Sequence, residues 1–162
     1  MAWLLIVGVV LLVCFGAVLL VGAPYVPTLT PQVATALRLA KLKPGQHLLE
    51  LGCGDGKVLI AAARQGIRAT GYELNPLLAL IAWLRTRRYG RLVQVKWGDF
   101  WHADWPAADS VFVFLLPRFM TKLDGRLEAY PHKPIRLVSF AFQIPNKRPK
   151  RQQADVYLYE YR

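Results

Sequence analysis

Seven consecutive residues, Glu50-Leu51-Gly52-Cys53-Gly54-Asp55-Gly56, combine three glycines with two acids. They follow a short apolar run, His47–Leu51, and precede an alanine-rich stretch, Lys57–Gln65, with the character of a helix. A glycine motif is informative in that context, because glycine permits a tight turn and lets a ligand approach the backbone. The helix that follows presents unpaired N–H groups. Glu73, 21 residues after Gly52, ends the next strand-like run, and Asp99 ends the third. An acid at the first position can accept both hydroxyls of a ribose. An acid at the second can accept from an adenine amine.

Two nucleoside cofactors compete for such a turn. The dinucleotide fingerprint G-x-G-x-x-G requires glycine at position 57, which is Lys57 here. A pyrophosphate would also be repelled by Glu50 and Asp55. S-adenosylmethionine carries a sulfonium and an ammonium, and acids beside it attract both. The residues therefore favour the methyl donor as cofactor.

The elements that must position these groups alternate. Strands are expected at His47–Leu51, Arg68–Leu74, Leu92–Lys96, Ser110–Leu116, Arg136–Ile144 and Val156–Tyr161. Helices are expected from Thr30-Pro31 to about Lys41, then at Lys57–Gln65, Leu77–Tyr89 and Phe119–Ala129. Thr30 is a candidate N-cap, with proline in the first turn. Asn146–Gln153 reads as a polar loop, and the chain stops soon after the sixth expected strand, so the sheet is expected to lack a last hairpin. Alternation with short turns implies an α/β fold with a parallel sheet covered by helices on both faces. Ligands bind such sheets at the carboxyl ends of the strands.

The N-terminus differs in kind. Ala2–Ala23 is 22 residues without a charge, and none of the 31 charged side chains precedes Arg38. As a helix it would be about 33 Å long, enough for a hydrocarbon core. Its 14 Leu, Ile, Val and Phe residues would favour insertion by about 4–8 kcal/mol. The run is too long, and lacks the basic lead, for a cleaved signal peptide. The expected organisation is a transmembrane anchor over 1–23, a linker over 24–30 and a catalytic domain over 31–162. Arg38, Lys41 and Lys43 follow the anchor, so the N-terminus is expected outside and the domain in the cytoplasm, at a bacterial inner membrane or its organellar equivalent. Cys14 would lie in lipid and Cys53 in the domain, which excludes a disulfide between them.

The formal charge is +11. Two basic runs, Arg85–Arg91 and Lys147–Arg151, supply eight cations. Nucleic acid could use them, but downstream of an anchor the anionic lipid surface is the more economical partner, and nucleic acid is the disfavoured one. A merely solvated face is the plain alternative.

The segments LLELGCGDGKVLIAAA, GYELNP and GDFW resemble successive motifs of class I, seven-stranded S-adenosylmethionine-dependent methyltransferases. TPQVATALRLAKLKPG and FVFLLPRFMTKLDGRL narrow the resemblance to the membrane-anchored protein-lysine methyltransferases of the ATP synthase c-subunit and adenine nucleotide translocase group. The resemblance covers roughly residues 30–145. It implies a Rossmann-like sheet and S-adenosyl-L-methionine as cofactor. Gly52, Gly54 and Gly56 would wrap the methionine part, with Glu50 and Asp55 orienting its amino group. Glu73 would hold the ribose with Asn75 nearby, and Asp99 with Phe100 or Trp101 the adenine. Pro117 would line the acceptor site. Asn-Pro-Pro-Tyr is absent after the fourth strand, which disfavours adenine and glutamine N-methylation.

Simpler roles stand beside these. Asp55 could only cap the helix, Asp99 could only shape a Gly-Asp turn, and Cys53 reads as a small filler. His47, His102 and His132 lack metal spacing. Trp97, Trp101 and Trp105 read as packing or membrane-surface residues. Asp104, Asp109 and Glu128 are available carboxylates, none of which the sequence places as a base. The expected function is lysine N-methylation of a membrane-associated protein. RNA, a small molecule or a lipid is the alternative acceptor, and a non-catalytic membrane scaffold is the alternative of another class. Replacing Glu73 by alanine is expected to weaken cofactor binding and spare the fold.

Overall fold

A computed structural model describes residues 3–6, 8–9 and 30–162. The first six are helical, but most of the expected anchor, and all of the linker up to residue 29, lie outside the described residues. Among the described residues no helix is long and apolar enough to cross a membrane.

The folded part is an α/β sandwich of three layers. In chain order it comprises α1 (Thr30–Ala40), β1 (His47–Leu51), α2 (Lys57–Ala63), β2 (Arg68–Glu73), α3 (Pro76–Thr86), a 3-10 stretch (Arg87–Leu92), β3 (Val93–Trp97), β4 (Ser110–Val113), α4 (Pro117–Glu128), β5 (Ile135–Phe140), β6 (Arg151–Gln153) and β7 (Val156–Tyr161). The seven strands lie in the order β3-β2-β1-β4-β5-β7-β6. The first five are parallel and β7 runs antiparallel between β5 and β6. Leu51 pairs with Tyr72 and Val113, and Glu73 with Trp97, so the ends of β1 to β4 share one edge.

Both faces of the sheet are buried, and alternate side chains feed separate cores. Leu48, Phe112, Val138, Val156 and Leu158 pack beneath α1, α2 and Ala82 of α3. Leu49, Leu51, Val111, Val113 and Leu137 pack beneath Met120, Leu123 and Leu127 of α4. Tyr157, Tyr159 and Tyr161 of β7 join that second core. Their hydroxyls reach loops and helix: Ile144 N–H donates to Tyr159 Oη at 3.1 Å, and Tyr161 Oη donates to Asp124 at 2.7 Å.

The hairpin expected to be missing is present. The residues read as a polar loop contain β6, whose three side chains are all exposed. An edge strand with no buried face carries no period-two signal. Its two-residue turn is Ala154-Asp155, both at positive φ, where the usual sequence mark would be Asn-Gly. Two strands also end early. β5 stops at Phe140 because Ala141 turns to φ 67° and donates its N–H to Asp155 O at 2.8 Å. The apolar residues beyond it, Phe142 and Ile144, pack on the core from a loop.

Gly71, inside β2, is required by a close approach. A Cβ there would lie 2.7 Å from both Cys53 Cβ and Leu59 Cδ1. Gly71→Ala is therefore expected to lower stability by about 1–3 kcal/mol through overpacking, measured as a reduced midpoint in urea unfolding. An unchanged midpoint would show that the turn can move aside at no cost.

Candidate functional site

The glycine turn connects β1 to α2 at the shared carboxyl edge. Gly52, Gly54 and Gly56 have φ of 83°, 53° and 78°, a region that side chains with a Cβ adopt at a cost. Gly52 and Cys53 both donate N–H to Tyr72 O, at 2.9 and 2.8 Å, which fastens the turn to β2. A Cβ on Gly52 would meet nothing within 4 Å, so the space over the turn is open to a ligand.

Glu73 closes the arrangement from the end of β2. Its Oε2 accepts from Gly54 N–H at 2.8 Å and its Oε1 from Asn75 N–H at 2.9 Å. Asn75 in turn caps α3, its Oδ1 accepting from Leu77 and Leu78 N–H at 2.9 and 3.2 Å, with Pro76 opening the helix. Glu73 thus supports the loop as well as facing the site. A carboxylate has about four acceptor positions, so two remain for a ligand. Replacing it with alanine would orphan two buried N–H groups, and the expectation that the fold would be spared does not survive that geometry.

Glu50 is buried at the end of β1, and its Oε2 has no hydrogen-bond partner. Burial pushes its pKa well above the usual carboxylate range. The charges of Asp55 and Glu73 push the same way, and a hydrogen bond from the Leu59 backbone offsets part of the shift. Asn75 Nδ2 is a second buried polar atom without a partner. Burial, followed by the charges of Glu50 and Glu73, also raises the Cys53 thiol, which stays protonated as a packing group.

Asp55 is placed differently from its neighbours. Its carboxylate pairs with Arg85 of α3 and accepts from Lys57 N–H at 3.3 Å, while Gly56 holds the N-cap position of α2 with no side-chain cap bond. Asp99 follows β3, its Oδ1 accepting from Trp101 N–H at 2.8 Å and its Oδ2 lying 2.7 Å from His102 Nδ1. The preceding Gly98 donates N–H to Glu73 O at 2.9 Å, joining the second and third strand ends. Phe100 and Trp101 lie beyond, their rings tilted at 46° with centroids 4.7 Å apart. Pro117 begins α4, three residues after Phe114.

Of the three carboxylates considered as a base, two lie away from this edge. Asp109 binds His47 N–H and Gln46 at the entry to β1, and Glu128 pairs with Lys147 and Lys133 at the far end of α4. The Asp104 carbonyl accepts from Tyr72 Oη at 2.9 Å, beside the end of β2. Among the described residues no group of three or more His, Cys, Asp or Glu side chains could hold a metal ion.

Sequence reasoning missed Arg85, His102 and Gly71. Arg85 meets Asp55 across thirty residues of chain, and no local pattern marks that contact. His102, three residues after Asp99, carried a legible turn spacing. Gly71 is the kind of strand glycine that marks a close approach of backbone.

Residues 50–151 match the family model described as the ANTKMT methyltransferase domain. The chain belongs to that family. It is 33% identical over 128 residues to the ATP synthase c-subunit lysine N-methyltransferase of Xenopus laevis, a match covering 78% of this chain and 56% of the relative. The chain therefore spans just over half the length of that family relative. A protein-lysine N-methyltransferase from Saccharolobus islandicus (strain REY15A) is 34% identical, with 78% of this chain and 81% of the relative covered. Among solved structures, an RNA methyltransferase from Salinibacter ruber in complex with S-adenosyl-L-homocysteine is 31% identical, covers 84% of this chain and 92% of its own, and superposes with a TM-score of 0.75. Family membership agrees with the resemblance read from the motifs, and the strand order agrees with the seven-stranded fold that it implied.

The raised pKa of Glu50 has a testable sign. Between about pH 4.5, where the unfolded group titrates, and its raised folded value, the native state binds a proton that the unfolded chain releases. Stability therefore falls as pH rises through that window. The stability of Glu50→Gln relative to wild type is expected to increase from pH 5 to pH 8, measured by paired urea unfolding. A constant difference would remove the buried, protonated assignment.

Proposed function

We propose that this chain is an S-adenosylmethionine-dependent methyltransferase acting on a lysine amine in a membrane-associated protein. The observation that carries the cofactor reading is the open turn over Gly52, bordered by a buried carboxyl and a buried amide that each have an unpartnered polar atom. Such orphaned groups are costly unless a ligand completes them. When bound, S-adenosylmethionine supplies an electrophilic methyl group on a sulfonium.

Gly52, Gly54 and Gly56 would wrap the methionine part, and Glu50 would face its ammonium. Asp55 would join that task where Arg85 releases it. Glu73, still holding Gly54 and Asn75, would accept the ribose hydroxyls through its remaining lone pairs. Asp99 would take the adenine amine, with Phe100 packed on the ring. The relatives in Xenopus laevis and Saccharolobus islandicus are named for lysine, which supports that acceptor.

A lysine amine attacks only when neutral, and at a pKa of about 10.4 roughly one in a thousand is neutral near pH 7.4. Phe114, just after β4, and Phe140, the last residue of β5, have ring centroids 4.7 Å apart, with the Phe142 ring 6.4 Å from Phe114. An amine among them would lose hydration, which lowers its pKa. The ammonium would lose its proton to water before attack; the neutral amine's lone pair would then form the N–C bond as the S–C bond breaks and its electron pair stays on sulfur.

The apolar segment 1–23 supports an anchored enzyme, with 24–30 as linker and 31–162 as catalytic domain. Trp3, Leu4, Leu5, Ile6 and Val9 all expose their side chains, as a segment facing lipid would. Arg38, Lys41 and Lys43 favour a cytoplasmic domain. An anchor raises the effective concentration of substrates in the same membrane.

Radiolabelled methyl transfer into membrane-protein, lipid and RNA fractions tests the acceptor. Label in membrane protein, with a +14 Da increment on lysine by mass spectrometry, is expected. Label in RNA alone would favour the acceptor for which the Salinibacter ruber enzyme is named. Calorimetry with S-adenosylmethionine tests the cofactor, and absence of binding would favour a non-catalytic scaffold. Glu73→Ala is expected to weaken that binding tenfold or more, and also to lower stability by about 1–3 kcal/mol for each orphaned N–H. Unchanged affinity in the folded variant would remove its ribose role.

A further inference from the structure

The outward side of α3 is apolar where a surface helix is normally polar. Leu80, Trp83 and Leu84 are 51%, 52% and 45% exposed, while Leu78, Ala79, Ala82 and Thr86 are buried against the domain. Positions 80, 83, 84 and 87 follow the i, i+3, i+4, i+7 spacing of one helix face, so the stripe runs into Arg87. Arg88 and Arg91 follow in the 3-10 stretch, and Arg64 stands at the end of α2, where it and Arg88 both donate to Tyr89 Oη, at 3.4 and 3.1 Å. None of the ion pairs among the described residues takes Arg64, Arg87, Arg88 or Arg91.

The second basic run is different. Lys147 pairs with Asp124 and Glu128, and Lys150 with Glu160. Lys147 and Lys150 are thus satisfied within the fold, whereas Arg64 at the end of α2 and Arg87, Arg88 and Arg91 in the 3-10 stretch after α3 enter none of these ion pairs.

This surface also meets the start of the folded domain. A cavity of about 580 Å³ is lined by Thr30 and Val33 of α1 together with Ile60, Arg64, Leu84 and Arg87. Thr30 is the first residue of α1, where the chain arrives from the apolar segment. Whatever holds residues 1–23 therefore holds the cavity and the α3 stripe within a short length of chain.

We propose that the Leu80–Trp83–Leu84 face of α3, with Arg64, Arg87, Arg88 and Arg91, docks on an anionic bilayer surface beside the anchor. Tryptophan and leucine enter the interface, where an amphipathic ring is favoured. The arginines reach lipid phosphates, and the cavity beside Thr30 admits a headgroup between Arg64 and Arg87. Arg85, in the same cavity, pairs with Asp55 of the glycine turn, so docking fixes how the cofactor turn stands relative to the membrane. The proposal rests on the anchored reading above, and deepens it by assigning a second contact with a defined lipid chemistry.

The test uses the full chain with vesicles of phosphatidylcholine, or of phosphatidylcholine and phosphatidylglycerol at 7:3, carrying brominated acyl chains. Flotation reports the anchor, and tryptophan quenching reports the docked face. Wild type is expected to show more quenching than Trp83→Phe in the anionic vesicles, and the difference is expected to fall at least twofold in Arg87→Gln/Arg88→Gln and at high salt. Flotation and S-adenosylmethionine affinity are expected to stay unchanged in these variants. Chain that floats but shows no quenching dependent on Trp83 overturns the docked surface and leaves the anchored reading standing. Equal quenching in both vesicles overturns the anionic assignment. Chain that floats with neither vesicle overturns the anchored reading and the docking with it. Concentration-dependent burial of Trp83 without vesicles assigns the face to a second copy, and methylation of a soluble peptide lost in Trp83→Phe assigns it to a protein substrate; either overturns the proposal.

Discussion

The site depends on one carboxylate held by two backbone amides. Glu73 bonds Gly54 on one side and Asn75 on the other. The glycine turn and the cap of α3 are therefore fixed by the same group. Charged acceptors make the stronger class of hydrogen bond, and burial increases their weight. Gly71 makes the geometry possible from below, since only a residue without a side chain lets Cys53 and Leu59 sit against β2. Tyr72 O, between Gly71 and Glu73, accepts the N–H groups of Gly52 and Cys53. Three successive residues of one strand thus determine the shape of a turn twenty residues earlier.

The loops that surround the site are tied down in a comparable way, by side chains reaching from the core. Tyr130 Oη donates to Pro106 O at 2.6 Å and accepts from Ala108 N–H at 3.0 Å. Arg126 donates to the carbonyls of Trp101 and Ala103 and lies over the Trp105 ring at 4.4 Å. Trp105 itself is buried and donates to Phe100 O at 2.8 Å. The segment following Asp99 is long, yet its backbone groups find partners from α4 and the helix end, so the aromatic residues beside the third strand are held without secondary structure of their own.

Much of this was legible because it is local. The order of strands and helices, the glycine turn and the acids at strand ends follow from period, punctuation and spacing within a few residues. Asn75-Pro76 is a cap pattern readable as written. The sequence could not show that Asp55 faces Arg85, or that Glu73 spends two acceptor positions on its own fold, because both depend on distances set by the folded sheet. β6 escaped because three exposed polar residues have no face to bury. β4 and β5 end before their apolar runs do, because Leu115, Phe142 and Ile144 are as apolar as strand residues while packing from loops. The two basic runs looked equivalent as letters. Only the fold shows that Lys147, lying over the Tyr161 ring at 3.9 Å and paired with two acids, is a structural residue. Burial lowers its pKa, but the carboxylates of Glu128 and Asp124 outweigh that and raise it overall.

The two open borders of the sheet have a consequence for crowding. One border is β6, where Arg151, Gln152 and Gln153 are exposed and Lys150 precedes them; the other is β3, which exposes Gln94, Lys96 and Trp97. Any neighbouring copy that tried to extend the sheet would bring cation toward cation and strip water from long polar side chains. Molecules of this protein concentrated in a small area are thereby kept from zipping together along their edges.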